Sequence, residues 1–490
     1  MRLEKAHLPK GPVRPHRGRT MVNYGFVIDN RKCIGCHACT VACKSEHDVP
    51  IGVNRTHVKY IEKGTYPDVT REFSVHRCNH CEDSPCTTIC PTTALFTRED
   101  GIVDFDDDRC IGCKSCMQAC PYDALYIDPN KGTAAKCNYC AHRIEHSYEP
   151  SCVVVCPVEA IISGDLDDPN SSISGYLNEH ETIVRKPESG AKPNVFYVET
   201  SEESLDPHAT ERSGEYLWTD QAAGVGHFAK YAEQRSGAAD THSMIVQLAL
   251  EKKAKAAAPR DRAIIHDVMS RLEEEAGKPK RLYDQPSKGV LWGWEVSAYV
   301  VTKAIATGTY MLAMALMLSG MLEMTDGMWW RLVIGCTAFL GLTGVLLILD
   351  LDRPERFVYV MLRPNWDSWL VKGAYLLGGF GGVLACSGAV LLFGLDRIYL
   401  EYLAYAGVPL ALLTGVYTAW LLKQARGRSW SEDGLLEAKM IFEMVVVGVG
   451  GVFLMASPGI LSILVFAILM AVVASHAHST VIKPQLETLH

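Results

Sequence analysis

The chain has 490 residues, too many for one ordinary domain, and a formal net charge of −8 with no basic stripe interleaved with aromatics, which argues against a nucleic-acid partner. Apolar residues make up 48% of it and charged residues 21%. The mean hydropathy of +0.04 averages two unlike parts. Residues 1–290 are polar and cysteine-rich, with acidic patches at Asp104–Asp108 and Asp165–Asp168, and residues 291–482 are long apolar runs.

In chain order, residues 1–21 read as an N-terminal tail. It carries Arg14, Arg17 and Arg19, but no apolar stretch follows before Cys33, so a signal peptide is not expected. Neither adjacent arginines nor a hydrophobic region supports twin-arginine export.

Residues 22–200 hold 16 of the 18 cysteines, in four groups of four. The groups are Cys33, Cys36, Cys39 and Cys43; Cys78, Cys81, Cys86 and Cys90; Cys110, Cys113, Cys116 and Cys120; and Cys137, Cys140, Cys152 and Cys156. Each is a variation on the run that holds cubane iron–sulfur clusters in two-cluster ferredoxins. Closely spaced cysteines wrap a loop around one cluster, and the last, followed by Pro in three of the groups (Pro91, Pro121, Pro157), reaches the other cluster of its pair. Disulfides do not explain four repeats of this kind. A zinc ribbon leaves the trailing Cys-x3-Cys unused. Sixteen thiolates at four per cluster give four [4Fe–4S] clusters. The repeats imply two tandem ferredoxin-like modules with short strands at Tyr24–Ile28, Ile102–Phe105 and Val195–Val198 and short helices after the cysteine loops.

Residues 201–289 read as a linker rich in Ala, Glu, Lys and Ser, with amphipathic helices expected at Thr241–Ala257 and Asp261–Ala276. Residues 290–482 then read as a bundle of six membrane spans, at Trp294–Leu318, Leu332–Leu349, Leu370–Phe393, Tyr399–Leu422, Met440–Ser457 and Gly459–Ala477. Residues 483–490 form a C-terminal tail. The fold class expected is α+β, a tandem ferredoxin-like domain followed by an α-helical transmembrane bundle. Basic residues gather before span one (Lys278, Lys280, Arg281, Lys288), between spans two and three (Arg353, Arg356, Arg363, Lys372), between spans four and five (Arg426, Arg428, Lys439) and after span six (Lys483). The positive-inside rule then places the cluster domain and both termini on the cytoplasmic face of the membrane.

Together these stretches resemble a family. The four cysteine groups, with the long gap between Cys140 and Cys152, look like the four-cluster electron-transfer subunit of complex iron–sulfur molybdoenzymes. Trp292-Gly293-Trp294, Tyr299, Thr302-Lys303, Asp350 to Phe357, and Arg363-Pro364-Asn365-Trp366 followed by Ser368-Trp369 look like the NrfD/polysulfide-reductase membrane anchor, best over the first four spans. The resemblance implies electron transfer between a quinone (menaquinone or ubiquinone) and a separate catalytic subunit, expected to carry molybdopterin, with further membrane subunits admissible. It implies that Cys33, Cys36 and Cys39 share a cluster with Cys156, and Cys137, Cys140 and Cys152 with Cys43. It pairs Cys78, Cys81 and Cys86 with Cys120, and Cys110, Cys113 and Cys116 with Cys90. Family anchors commonly have eight or more spans where this one has six.

Ionisable groups inside spans are costly and mark function. The quinone or proton candidates are Trp294, Tyr299, Lys303, Asp350, Asp352, Arg353 and Glu443. Asp352, Arg353, Glu355 and Arg356 equally read as an interfacial ion-pair network, and His476 and His478 as residues snorkelling at a span end. Cys336 and Cys386 read as packing residues, and no histidine pair suits a haem. The chain carries no substrate-turnover motif of its own. The rival readings are a redox-driven ion-translocating module, the anchor of a hydrogenase or multihaem cytochrome, and a scaffold with vestigial clusters.

Overall fold

The computed structural model describes residues 22–65, 67–206, 210–212, 277–285 and 288–486. The tail arginines and both expected linker helices lie outside the described residues.

Short elements and long loops make up the N-terminal part. Its strands are β1 (Tyr24–Asp29), β2 (His57–Thr65), β3 (Asp68–His76), β4 (Leu95–Thr97), β5 (Val103–Phe105), β6 (Tyr126–Asp128), β7 (Thr133–Ala135), β8 (Ile161–Asp165), β9 (Thr182–Ile183), β10 (Val195–Val198), β11 (Glu211–Arg212) and β12 (Lys280–Tyr283). Its helices are α1 (Ala38–Glu46), α2 (Pro85–Ile89), α3 (Ser115–Ala119), α4 (Ala141–Ile144), α5 (Ser151–Val154), α6 (Ser172–Glu179) and α7 (Glu202–Leu205). One sheet has the order β8-β1-β10-β9, with β1 antiparallel to β8 and parallel to β10. Strand β1 is buried on both faces, Phe26 and Ile28 against Tyr139, Cys39 and Cys152, and Val27 against Ile173 and Val198. This explains why it reads as an unbroken apolar run.

The second sheet, β11-β12-β2-β3, contains two strands, β11 and β12, from the stretch read as linker. Strand β12 pairs antiparallel with β2, and the buried ion pair of Lys59 on β2 with Asp284 at 2.8 Å pins its end, Arg281 meeting the same carboxylate at 3.0 Å. The chain therefore re-enters the cluster domain before it crosses to the membrane part.

Among the described residues, six helices are long and apolar enough to cross a membrane: Trp294–Leu318, Asp326–Leu349, Trp369–Leu392, Ile398–Gln424, Leu436–Ala456 and Ile460–Leu486. They differ from the expected spans mainly at their ends. Polar residues that hydropathy assigned to loops cap the helices or continue them; the Thr325 hydroxyl, for one, accepts from the Met328 amide to start the second. The first span is the most enclosed and the sixth the least. Spans one and five approach closely because Gly308 and Gly448 have no side chain: a Cβ on Gly308 would lie 2.1 Å from the Met444 carbonyl oxygen.

The two parts share one continuous core. Cys86, Ile89, Cys90, Cys116, Met117 and Ala119 pack in the same apolar cluster as Trp292, Tyr299, Leu421, Trp430 and Val481.

Candidate functional site

Each cysteine group begins with the same backbone turn. The residue just before its second cysteine takes positive φ: Gly35 at 67°, His80 at 43°, Gly112 at 70° and Tyr139 at 61°. The left-handed residue turns the chain so that backbone amides face inward. Amides of Gly35, Gly112, Ser115, Ala124 and Ser151 donate to the sulfurs of Cys33, Cys110, Cys113, Cys120 and Cys140 respectively. Ala134 and Ala160 add amide donations at 3.3 Å to Cys110 and Cys156.

The thiols gather by crossing between groups. Cys33 lies by Cys36 and Cys156, and Cys39 by Cys33. Cys43 lies by Cys140 and Cys152, and Cys137 by Cys43. Cys81 lies by Cys78, Cys86 and Cys120, and Cys116 by Cys110, Cys113 and Cys90. Contacts between these gatherings run in one order. Cys39 neighbours Cys152, Cys137 neighbours Cys78, and Cys86 neighbours Cys90. Cys36 is exposed at one end of the series, and Cys113 faces the membrane helices at the other.

These surroundings fit iron–sulfur clusters. Burial pushes the thiols of Cys39, Cys43 and Cys113 up to about 12, so as free groups they would stay neutral. Arg77 is fully buried among them, its Nη1 donating to Cys152 Sγ at 3.1 Å and its guanidinium 4.5 Å from the Phe26 ring centroid. Its Nε and Nη2 have no partner among the described residues. A buried cation with so little compensation is costly unless the sulfurs beside it carry negative charge, as cluster thiolates do. None of the 18 cysteines is tied up in a disulfide.

The third group's loop docks on the membrane helices. Gly112 and Gly132 leave room for Asp352 and Arg353, since a Cβ on Gly112 would meet Asp352 Cβ at 2.7 Å. The Arg353 amide donates to the Ile111 carbonyl at 3.2 Å, and Arg353 Nε to the Lys131 carbonyl at 2.6 Å. Arg356 Nη1 donates to the carbonyls of Asp107 and Cys110. Asn365 Nδ2 donates to the Cys90 carbonyl at 2.8 Å, and the Ser368 hydroxyl to the Ile89 carbonyl at 2.7 Å. Lys114 sits 3.3 Å from Asp352 and donates to the Asp350 carbonyl. Of the expected interfacial ion-pair network, the Arg353–Glu355 pair forms at 3.3 Å, while both arginines also bind the cluster domain.

On the other flank, Gln118 and Gln485 are buried and joined at 2.6 Å. Gln485 also accepts from the amides of Leu291 and Trp292. Trp292 donates its indole N–H to the Cys113 carbonyl at 3.1 Å and stacks on Trp430 at 5.7 Å. Isolated glutamines carry no sequence signal for this role, and no motif pointed to Gln118 or Gln485.

Between the docked loop and the first four spans lies an apolar cavity of about 200 Å³. Ile111, Cys113 and Ser115 form its cluster-side wall, and Trp292, Val296, Tyr299, Leu347, Asp350, Val360, Tyr417 and Leu421 are among the residues that complete it. Burial pushes the Asp350 carboxyl up to about 7, with the Lys114 ammonium pulling it the other way. Of the sequence candidates, the structure brings Tyr299 and Asp350 to this cavity. Lys303 is buried behind the cavity wall formed by Tyr299 and Tyr417, Asp352 and Arg353 serve the docking contact, and Glu443 is buried against His476. Trp294 is 63% exposed and does not line the cavity. A second cavity, of about 470 Å³, lies among the first, second, fifth and sixth spans, lined by Arg331, Cys336 and Phe466 among others. Cys386 is exposed.

Residues 69–166 match the 4Fe-4S dicluster domain family, and residues 284–467 match the polysulphide reductase NrfD family. A tetrathionate reductase subunit of Salmonella typhimurium is 42% identical over 209 residues, which is 42% of this chain and 83% of that protein. A polysulfide reductase component of Wolinella succinogenes is 43% identical over 36% of this chain and 93% of its own length. The arsenate respiratory reductase iron–sulfur subunit of a Shewanella species is 35% identical over 36% of this chain and 95% of its own length.

Proposed function

Because this protein belongs to the iron–sulfur subunit family represented in the tetrathionate, polysulfide and arsenate reductases, here continuous with an NrfD-type membrane domain, we propose that it carries electrons between a membrane quinone and a separate, molybdopterin-containing catalytic subunit. The proposed carriers are four [4Fe–4S] clusters. Their proposed ligands are Cys33, Cys36, Cys39 and Cys156; Cys43, Cys137, Cys140 and Cys152; Cys78, Cys81, Cys86 and Cys120; and Cys90, Cys110, Cys113 and Cys116. Each cluster, when bound, takes up and releases one electron. The protein's part is to hold the sulfurs with amide donors and Arg77, and to keep the four sets in one series.

The observation that carries the reading is the cavity that Cys113 of the cluster domain and Tyr299 of the first span both line. It is apolar, as a quinone ring requires, and it holds few polar groups to orient the ring's oxygens. Oxidising a quinol releases two electrons and two protons, and reducing a quinone consumes the same. Asp350 also lines the cavity, and its carboxyl supplies a group able to take or give a proton at one ring oxygen. At the far end of the series Ile34 and Val41, close to Cys36 in the sequence, are exposed apolar residues suited to a protein partner.

The cluster domain and both termini are proposed to face the cytoplasm. Arg353, Arg356 and Arg428 bind the cluster domain, so the positive-inside argument rests on the remaining basic residues of that face, Arg363, Lys372 and Lys439 among them. Labelling of a C-terminal tag by an impermeant reagent from outside intact cells would overturn this sidedness.

A cavity-filling substitution tests the quinone reading. Leu347→Trp, in purified protein held in lipid nanodiscs, should slow bleaching of the cluster absorbance by a short-chain quinol about tenfold or more. Bleaching by dithionite should not change. Quinol-driven bleaching at the wild-type rate would sink the reading.

A further inference from the structure

Quinone chemistry moves two protons, and Asp350 accounts for one position on the cavity wall. Three further ionisable groups lead away from the wall at Tyr417, although nothing in their sequence spacing links them. Lys303 is 1% exposed, on the first span. Its ammonium donates to the Thr418 hydroxyl and stands 4.4 Å from the centroid of the Tyr417 ring. Tyr417 lines the cavity. Lys303 is also within charge-interaction range of Glu443 of the fifth span, which packs closely on the first where Gly308 meets Met444. Glu443 is 3% exposed and lies 2.5 Å from Nδ1 of His476 on the sixth span. The His476 side chain is 47% exposed, and Ser475, His478 and Ser479 beside it are exposed as well.

From this geometry we infer that His476, Glu443 and Lys303 form a proton path between the cavity and the cluster-domain side of the membrane. The inference rests on the quinone reading above. The polar run from Ser475 to Ser479 lies in the last three turns of a 27-residue helix. Gln485, near the end of that helix, meets the cluster domain. The path therefore opens near the membrane boundary rather than in the lipid interior. His476 exchanges a proton with water, Glu443 relays it, and Lys303 passes it to the wall at Tyr417. Glu443 and Lys303 are not in direct ion-pair contact, so transfer between them needs a bridging water or a swing of the lysine stem. For a quinol giving up two electrons to the clusters, one proton leaves at Asp350 and the other at Lys303; quinone reduction reverses both. A buried carboxylate needs compensation, and a histidine on one side with an ammonium on the other supplies it. The titratable groups facing the path are Tyr299 and Tyr417 beside Lys303 and His476 beside Glu443.

The test uses the whole chain in nanodiscs with a short-chain quinol. Glu443→Gln and His476→Ala should slow quinol-driven cluster bleaching about 100-fold, the usual scale for a lost acid–base group. Proton release, followed with a pH dye, should slow in step, while dithionite bleaching and the cluster EPR spectrum stay as in the wild type. Added imidazole should restore His476→Ala but not Glu443→Gln. His478→Ala should leave the rate unchanged. Wild-type rates in Glu443→Gln, or no rescue of a slowed His476→Ala, would overturn the path. Failure of Leu347→Trp to slow the reaction would instead overturn the quinone site itself.

Discussion

At the scale of single residues, charge compensation decides most of what is buried. Arg77 is held among thiols, Lys59 by Asp284, and Glu443 by His476. Asp29 shows the same logic outside the clusters. It is fully buried at the end of β1, accepts from Arg31 Nε and Nη2 at 2.9 and 2.7 Å, and takes the Tyr176 hydroxyl at 2.5 Å. Burial by itself would raise its pKa, but these donors outweigh it and hold the carboxyl at about 2. A folded-state value below the ordinary 3.8 means that the unfolded state takes up the proton more readily. The stabilisation is therefore full above about pH 4 and fades as pH falls toward 2. Asp29→Asn should cost about 1 kcal/mol at neutral pH, and thermal unfolding across pH should show the difference from wild type shrinking below pH 4. The cysteine identities were plain in the sequence because each ligand type and spacing has few other uses. The role of His476 was not, since a histidine near a span end reads as snorkelling until its ring is found against Glu443.

At the scale of elements, close backbone approach sets the bundle. Spans one and five meet at Gly308 and Gly448, where a Cβ on Gly448 would lie 2.6 Å from the Gly308 carbonyl oxygen. Gly308→Ala should force the spans apart and cost about 1–3 kcal/mol, read as a lower midpoint of thermal unfolding in detergent. Because Met444 adjoins Glu443, the same substitution should also disturb the Glu443 contact with His476. The six spans were legible because hydropathy alone marks a helix that crosses lipid. Strand β12 was not: Lys280–Tyr283 is short and polar, and it is a strand only because β2, more than 200 residues earlier, offers it a free edge.

At the scale of the whole molecule, one polypeptide joins a cluster series to a membrane bundle through a shared core. Full occupancy should give about 16 iron atoms per molecule. Cys113→Ser should lower that count by loss or conversion of the cluster nearest the membrane and abolish quinol-driven bleaching, measured by iron analysis and EPR. An unchanged count with unchanged quinol kinetics would remove that cluster from the path. The sequence by itself determined that the protein holds clusters, crosses the membrane and joins the two in a fixed order, because ligand spacing and hydropathy are local properties. Only the tertiary structure decided which cluster loop meets the membrane, where the cavity opens and how Lys303, Glu443 and His476 come together. Those depend on contacts between segments distant in the chain, more than 200 residues apart for Gly112 with Asp352 and for Gln118 with Gln485, and no local pattern records them.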